Sequence, residues 1–218
     1  METIEQYLDR TESASHKLFE GIDSYSDVLR EAKPLTFITS TLDRELMEQE
    51  YLAWRDENQE ALEARREAER AFVAESFALA NLCGAVLQTA SMAISKFSTE
   101  QPIPPVFRGL IQKGQRVTKY CVGREVRGVP IGLIIYAGRN QYNHFDERPK
   151  LKNPAKTVFA MLANMGISEN NQPLIDPAFN LTNDHIVCFA NNITTLLGWC
   201  SYQDYRDEML AMLGEKLR

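Results

Sequence analysis

Zinc frameworks, dithiol pairs and phosphate-binding loops are all missing from this 218-residue chain. Its four cysteines, Cys83, Cys121, Cys188 and Cys200, form no C-x-x-C pair and match no zinc-ligand spacing. They read as buried free thiols of a reducing compartment. His185 and Cys188 are spaced H-x2-C, with Cys200 further on, but no fourth ligand completes a zinc site. No metal is expected, and the trio is assigned to core or cap roles. There is no Walker loop, no G-x-G-x-x-G and no H-E-x-x-H, so no cofactor is expected. Excess positive charge is missing too, with 24 Lys and Arg against 30 Asp and Glu for a net charge of −6. That argues against a protein coating nucleic acid indiscriminately, because such affinity needs many cationic contacts to phosphate. The opening METIEQYLDRTESA has early acids and no apolar h-region. No signal peptide is expected, and the chain is placed in the cytoplasm.

Hydrophobic residues make up 44% of the chain, enough for a real core. Nearly all of it reads as helix. Residues 2–31 mix apolar and charged side chains without an internal proline, and Pro34 closes that segment. STLDREL then offers Ser40 or Thr41 as a cap, with Asp43 or Glu45 in the first turn. A helical pattern follows from about 42 to 97, and a break near 65–72 would relieve its length. Its first half is dense in Glu and Arg, with a thin seam at Leu42, Leu46, Tyr51 (or Leu52) and Leu62. That half is either a solvated helix laced with i,i+4 ion pairs or a projecting arm that pairs with another helix. Its second half, residues 76–95, has no charge and the length of a membrane span. Asn81, Gln88, Thr89 and several serines favour a central helix of a bundle, so no membrane partner is expected.

STEQPIPP at 98–105 is the strongest punctuation, since its prolines cannot continue a helix. The segments on either side still read as layers of one bundle, so residues 1–218 are taken as a single helical domain, with 98–105 as the candidate boundary. One or two short helices are expected in 106–128. Pro130 is placed to open the next helix, over PIGLIIYAGRNQYNHFDE. The β-branched Ile131, Ile134 and Ile135 leave a buried strand as the alternative. An amphipathic AKTVFAMLANMG follows, then a turn-rich SENNQPLIDPAFNLTND, then helices near 183–198, capped by Asn183 or Asp184, and 201–217.

Charge is unevenly spread. Residues 101–160 carry eleven Lys or Arg and three acids, a local +8, while the rest carries −14. A basic zone on an acidic molecule can draw a polyanion to one place. The alternative is that these cations pair with the acidic arm at 43–75.

Within that zone, YAGRNQYNHFDE at 136–147 gathers an arginine, amides, a histidine and two acids directly after an apolar run. On a helix, Tyr136, Asn140 and His144 form one polar stripe, and Arg139 and Asn143 a neighbouring one. Arg139 and His144 are then separated by roughly 140° around an ideal helix. A helix end, a distortion or a second subunit is needed to bring them together.

Arg139-Asn140-Gln141-Tyr142-Asn143-His144 resembles the R-x4-6-H motif of the HEPN superfamily, with Asn directly after Arg. Arg10 and His16 give a second match, read as coincidence. The resemblance covers the motif and the helical character only. It implies an all-α bundle, usually a homodimer that brings two motifs together; the long charged helix or arm read from this sequence has no counterpart in it. It also implies a metal-independent endoribonuclease, of the kind found in defence and toxin–antitoxin systems. RNA would then be the substrate, and a protein antitoxin or regulator a further partner. In that chemistry His144 acts as general base or acid, Arg139 stabilises phosphorane charge and Asn140 positions them. Tyr136, Tyr142, Asn143 and Asp146 stand beside them. Arg116, Lys119, Arg124, Arg127, Arg148 and Lys150 would hold RNA. The competing class is a non-catalytic all-α module that binds a protein, or RNA without cutting it, through the charged arm at 42–70.

Overall fold

A computed structural model describes residues 2–30, 35–144, 151–168, 170–183, 186 and 188–214, the side chains of 28–30, 72 and 74 excepted. The all-α class holds. Among the described residues there are seven α-helices: α1 Ile4–Arg30, α2 Arg44–Glu57, α3 Gln59–Phe97, α4 Ile131–Asn143, α5 Ala155–Ala163, α6 Ala190–Leu197 and α7 Tyr202–Leu213. Four short strands form two antiparallel hairpins: β1 Glu125–Val126 with β2 Val129–Pro130, and β3 Asn164–Ile167 with β4 Pro173–Ile175. Residues 105–107 and 116–120 are 3-10 turns, where short helices were expected. Contacts divide the chain into two units, residues 1–20 with 80–218, and residues 21–79. The proline stretch 98–105 lies inside the first.

Sequence signals explain most element ends. Thr3 and Gln6 exchange side-chain to backbone hydrogen bonds, a capping box that opens α1. Ser201 and Asp204 do the same for α7. At α2 the cap is Asp43, whose carboxylate accepts from the Glu45 and Leu46 N–H groups, rather than Ser40 or Thr41. The Thr41 hydroxyl instead accepts from the Asp43 N–H and sets the entry of the chain. The long helical pattern is interrupted at Asn58, not at 65–72. The Asn58 backbone N–H and its side-chain amide both bond the Trp54 carbonyl, which ends α2 without Gly or Pro. α6 begins at Ala190, later than expected, and Asp184 lies outside the described residues.

In the larger unit, α4 is the most enclosed helix. Ile131, Leu133, Ile134, Ile135, Ala137 and Gly138 are all buried, so the apolar run is a core helix and not a strand. It packs on α5, α6 and the 116–120 turn. The second half of α3 contributes Cys83, Val86, Leu87, Ala90, Ala93 and Ile94 as buried positions. Residues Glu75–Phe97 have the length and composition of a membrane span, and 56% of the most apolar window is buried. The first half of α1 meets this part of α3 through Tyr7, which donates to the Thr89 carbonyl and packs edge-on to Phe97.

The smaller unit has a different character. Among its described side chains only Leu79, at its end, is buried. Residues 35–42 are neither helix nor strand, with Phe37 packed against Tyr51 and Trp54 of α2 and Thr39 bonded to Glu50. Among the described residues of the charged stretch, an i,i+4 ion pair joins Arg65 and Glu69 at 2.9 Å.

Candidate functional site

The motif helix α4 is delivered by a tight hairpin. Arg127 (φ 51) and Gly128 (φ 73) form the two-residue loop between β1 and β2, and both are left-handed, as this kind of connection requires. Glycine adopts that conformation freely; Arg127 does so at a modest cost. Its side chain is fixed in return. It bonds the Leu162 carbonyl, pairs with Asp176 at 2.8 Å and stacks on Phe179. The first N–H groups of α4 are then taken by chain just before it, Ile131 to the Arg124 carbonyl and Gly132 to the Val122 carbonyl.

Along α4 the polar side chains have definite partners. Arg139 is half-buried, and its Nε donates to Oε1 of Gln88 on α3 at 2.9 Å. Its Nη1 donates to Oδ1 of Asn140 at 3.3 Å. Tyr136 packs on Tyr120, with ring centroids 5.2 Å apart. Gln141 is buried and accepts the Phe189 N–H at the start of α6. Tyr142 donates to Oδ1 of Asn81 on α3 at 3.4 Å. Asn143 and His144 are exposed, and His144 is the C-cap residue, its backbone N–H bonded to the Gln141 carbonyl. Arg139 therefore lies within the α3–α4 seam while His144 lies past the helix end. Asp146, Arg148 and Lys150 lie outside the described residues.

Two glycines permit this seam. A Cβ on Gly84 of α3 would sit 2.4 Å from the Tyr142 ring. One on Gly138 of α4 would sit 2.3 Å from Ile193 and 3.0 Å from Leu87. Gln88, Gly84 and Asn81 meet Arg139 and Tyr142 in turn, so α3 and α4 run antiparallel here with polar contacts flanking a glycine. Asn81 and Gln88 stand out in the sequence as polar positions in an uncharged run. Their pairing with Arg139 and Tyr142 carries no sequence signal, because it depends on helix register.

Among the cations expected to hold RNA, the four described ones have partners within the protein. Lys119 donates to the Ser95 carbonyl, in the last turn of α3. Arg124 donates to the Leu197 carbonyl at the end of α6 and pairs with Glu208 at 2.7 Å. Arg127 reaches the Leu162 carbonyl at the end of α5. Three cations thus each meet a different helix C-terminus, where carbonyls lack intrahelical donors and the macrodipole is negative. Arg116 donates to the Ser95 hydroxyl at 2.6 Å. Arg108, Lys113, Lys152 and Lys156 are exposed.

Cys83 is buried, accepts the Thr194 hydroxyl at 3.4 Å, and has its thiol pushed up to about 11 by burial. Burial also pushes the Cys121 thiol up to about 11 and raises that of Cys188. Such thiols stay protonated and poorly nucleophilic at neutral pH. Cys200 is exposed, and His185 lies outside the described residues. Among the described residues no three of His, Cys, Asp and Glu gather as a metal site.

No protein-family model matches this chain, and no curated protein or solved structure matches it significantly.

Proposed function

We propose that this chain is a helical interaction module that captures a protein partner through its arm, residues 35–78. The carrying observation is that α2 has no buried residue yet displays Leu46, Met47, Tyr51 and Leu52 at 40% exposure or more. Ile38, Leu42, Val73 and Phe77 extend the exposed apolar surface. Residues 43–75 hold eleven acids and five arginines. An apolar stripe rimmed by acids fits an amphipathic partner helix with Lys or Arg at its margins. Half-burial of Arg139 against Gln88 also supports a structural role for the motif. The test is binding of designed amphipathic helices with basic or acidic margins, measured by calorimetry. Basic-margin helices bind wild type and lose about tenfold or more in affinity against Leu46→Asp with Leu52→Asp, while the unfolding midpoint stays unchanged. Equal binding by both margins, or by the double variant, overturns the proposal.

A second reading, the metal-independent endoribonuclease of HEPN type, is favoured by one contact. Asn140 holds Arg139 through its side-chain oxygen, the positioning role this chemistry assigns it, and His144 is exposed on the same helix end. One histidine would take the proton of the RNA 2′-OH as the 2′-oxygen bonds phosphorus. The P–O5′ bond breaks, the leaving 5′-oxygen gains a proton, and a 2′,3′-cyclic phosphate forms. Arg139 would offset the charge on the phosphorane, and a homodimer would supply the second motif. This reading requires no cofactor, and either reading suits a cytoplasmic protein. RNA cleavage in EDTA that disappears in both Arg139→Ala and His144→Ala, with folding intact, supports it. Undiminished cleavage by His144→Ala removes it.

A further inference from the structure

We infer that the face where α3 meets the 116–120 turn and α4 is a binding site for a short linear polyphosphate, held at one end by Arg116 and Lys119 and at the other by Arg139. The inference rests on neither functional reading. Between residues 76 and 145 the acids are Glu100 and Glu125, against eight Lys and Arg. The structure sorts these cations into two kinds. Lys96, Arg124 and Arg127 pair with the carboxylates of Glu2, Glu208 and Asp176. Arg116, Lys119 and Arg139 are bonded to neutral oxygens instead: the Ser95 hydroxyl, the Ser95 carbonyl, and the side-chain amides of Gln88 and Asn140. Among the described residues none of these three has a carboxylate partner. Neutral acceptors fix a cation in place without cancelling its charge.

The carrying observation is that Arg116 and Lys119 converge on one residue. Arg116 donates to the Ser95 hydroxyl at 2.6 Å, and Lys119 to the Ser95 carbonyl at 3.0 Å. Two like charges held side by side repel. The C-terminus of α3 answers with about half a negative charge, which does not balance two positive ones. Lys96, in the same turn, is already paired with Glu2. Glu100, just beyond the helix, accepts the Gly114 N–H.

Arg139 completes the span. Gln88 and Ser95 are seven positions apart, on one face of α3 and about 10 Å apart along its axis. Gln88 and Asn140 take two of the five Arg139 N–H groups, leaving three for a ligand. The floor between the two ends is fixed, since the Tyr120 hydroxyl bonds Ser91 and Tyr136 packs on Tyr120. Guanidinium forks at both ends of an acid-free face suit phosphate oxygens placed in a row. Charge also limits the length of the ligand. The chain outside 101–160 carries −14, so a long nucleic-acid strand would run from this face onto surface that repels it. A polyphosphate short enough to stay within the face meets the cations alone.

The test is calorimetric titration of the full chain, in EDTA, with inorganic tripolyphosphate, orthophosphate and a single-stranded RNA oligomer. Tripolyphosphate is expected to bind about tenfold or more tightly than orthophosphate. Arg116→Gln with Lys119→Gln is expected to weaken it by about a hundredfold, and Arg139→Gln by about tenfold. Arg124→Gln, at a cation that Glu208 already offsets, is expected to leave it unchanged. In wild type, tripolyphosphate is expected to shield Lys119 from acylation while Lys152 and Lys156 stay reactive, a readout that needs no variant. Absence of binding overturns the inference, and so does a loss in Arg124→Gln as large as that of the Arg116 and Lys119 pair. RNA that binds more tightly than tripolyphosphate, or Lys119 labelling that tripolyphosphate does not slow, overturns it too.

Discussion

Helix α3 is one continuous element of 39 residues with two unlike halves. Residues 59–78 alternate Glu, Arg and Ala and bury no described side chain. Residues 79–97 carry one charge, Lys96, and place Leu79, Cys83, Leu87, Ala90 and Ile94 in a core. Hydrogen bonding along the backbone is the same in both halves. The difference lies in what the side chains displace: water in one half, other side chains in the other. Helical geometry is therefore compatible with either setting, and apolar burial, not propensity, decides which half carries stability.

That contrast can be broken most directly by truncating side chains on both sides of it. Leu87→Ala and Ile94→Ala, at positions with no exposed surface, are expected to cost about 2–5 kcal/mol in denaturant unfolding. Leu46→Ala and Leu52→Ala are expected to stay within about 0.5 kcal/mol. Comparable losses at both pairs would mean that the arm is as tightly packed as the core. Next in size is overpacking of the buried half. Gly84→Ala pushes a methyl against the Tyr142 ring and is expected to cost about 1–3 kcal/mol, while Gly109→Ala, whose Cβ meets nothing within 4 Å, serves as the unperturbed reference. Losing the Gln88 contact sharpens the comparison further. Arg139→Ala is expected to lower stability by about 1 kcal/mol, and Gln88→Ala to add little on top of it. A fully additive double variant would show that the two side chains do not act together.

The smallest effect at neutral pH concerns the thiols. Cys83 and Cys121 are held protonated by burial, with values raised from 9.0 to about 11. A thiol whose value is higher in the folded state stabilises the fold fully below the unfolded value. That contribution is lost as pH rises from about 9 toward 11. Stability measured against pH is expected to fall across that window, and less so in a Cys83→Ala variant. At neutral pH, alkylation is expected at exposed Cys200 well before Cys83 or Cys121. Rapid labelling of all three would place the buried half of α3 in solvent contact.

Much of the helical content was legible because it depends on local chemistry. The α1 and α7 segments, the break at the prolines and the apolar run of α4 follow from periodicity and from what proline forbids. The Asn58 interruption was not, because an asparagine that ends one helix can sit within another. Nor was the β3–β4 hairpin, since MGI and PLI are short apolar runs whose pairing depends on the turn between them. The candidate motif was legible as a cluster but not as a geometry. Arg139, Asn140 and His144 are adjacent in sequence, while Gln88 lies 51 positions from Arg139 and decides how that guanidinium is held. The basic zone was legible as charge, with an anion site and pairing with the acidic arm both left open. Lys119, Arg124 and Arg127 instead meet three helix ends, and such pairings require knowing where those helices stop.

Those three cations lie within nine residues, and their acceptors have very different birth dates. During synthesis the Ser95 carbonyl is already made when Lys119 emerges, 24 positions later. Arg127 must await Leu162, 35 positions on, and Arg124 must await Leu197, 73 positions on. At ordinary translation speeds of about 5–20 residues per second, the last of these is a delay of roughly 4–15 seconds. For that interval the nascent segment is a cationic tether beside a polyanionic ribosome, with its helix-end partners not yet in existence. The larger unit cannot close until α6 and α7 have been made, so its folding is timed by the ribosome and not by the intrinsic speed of its helices.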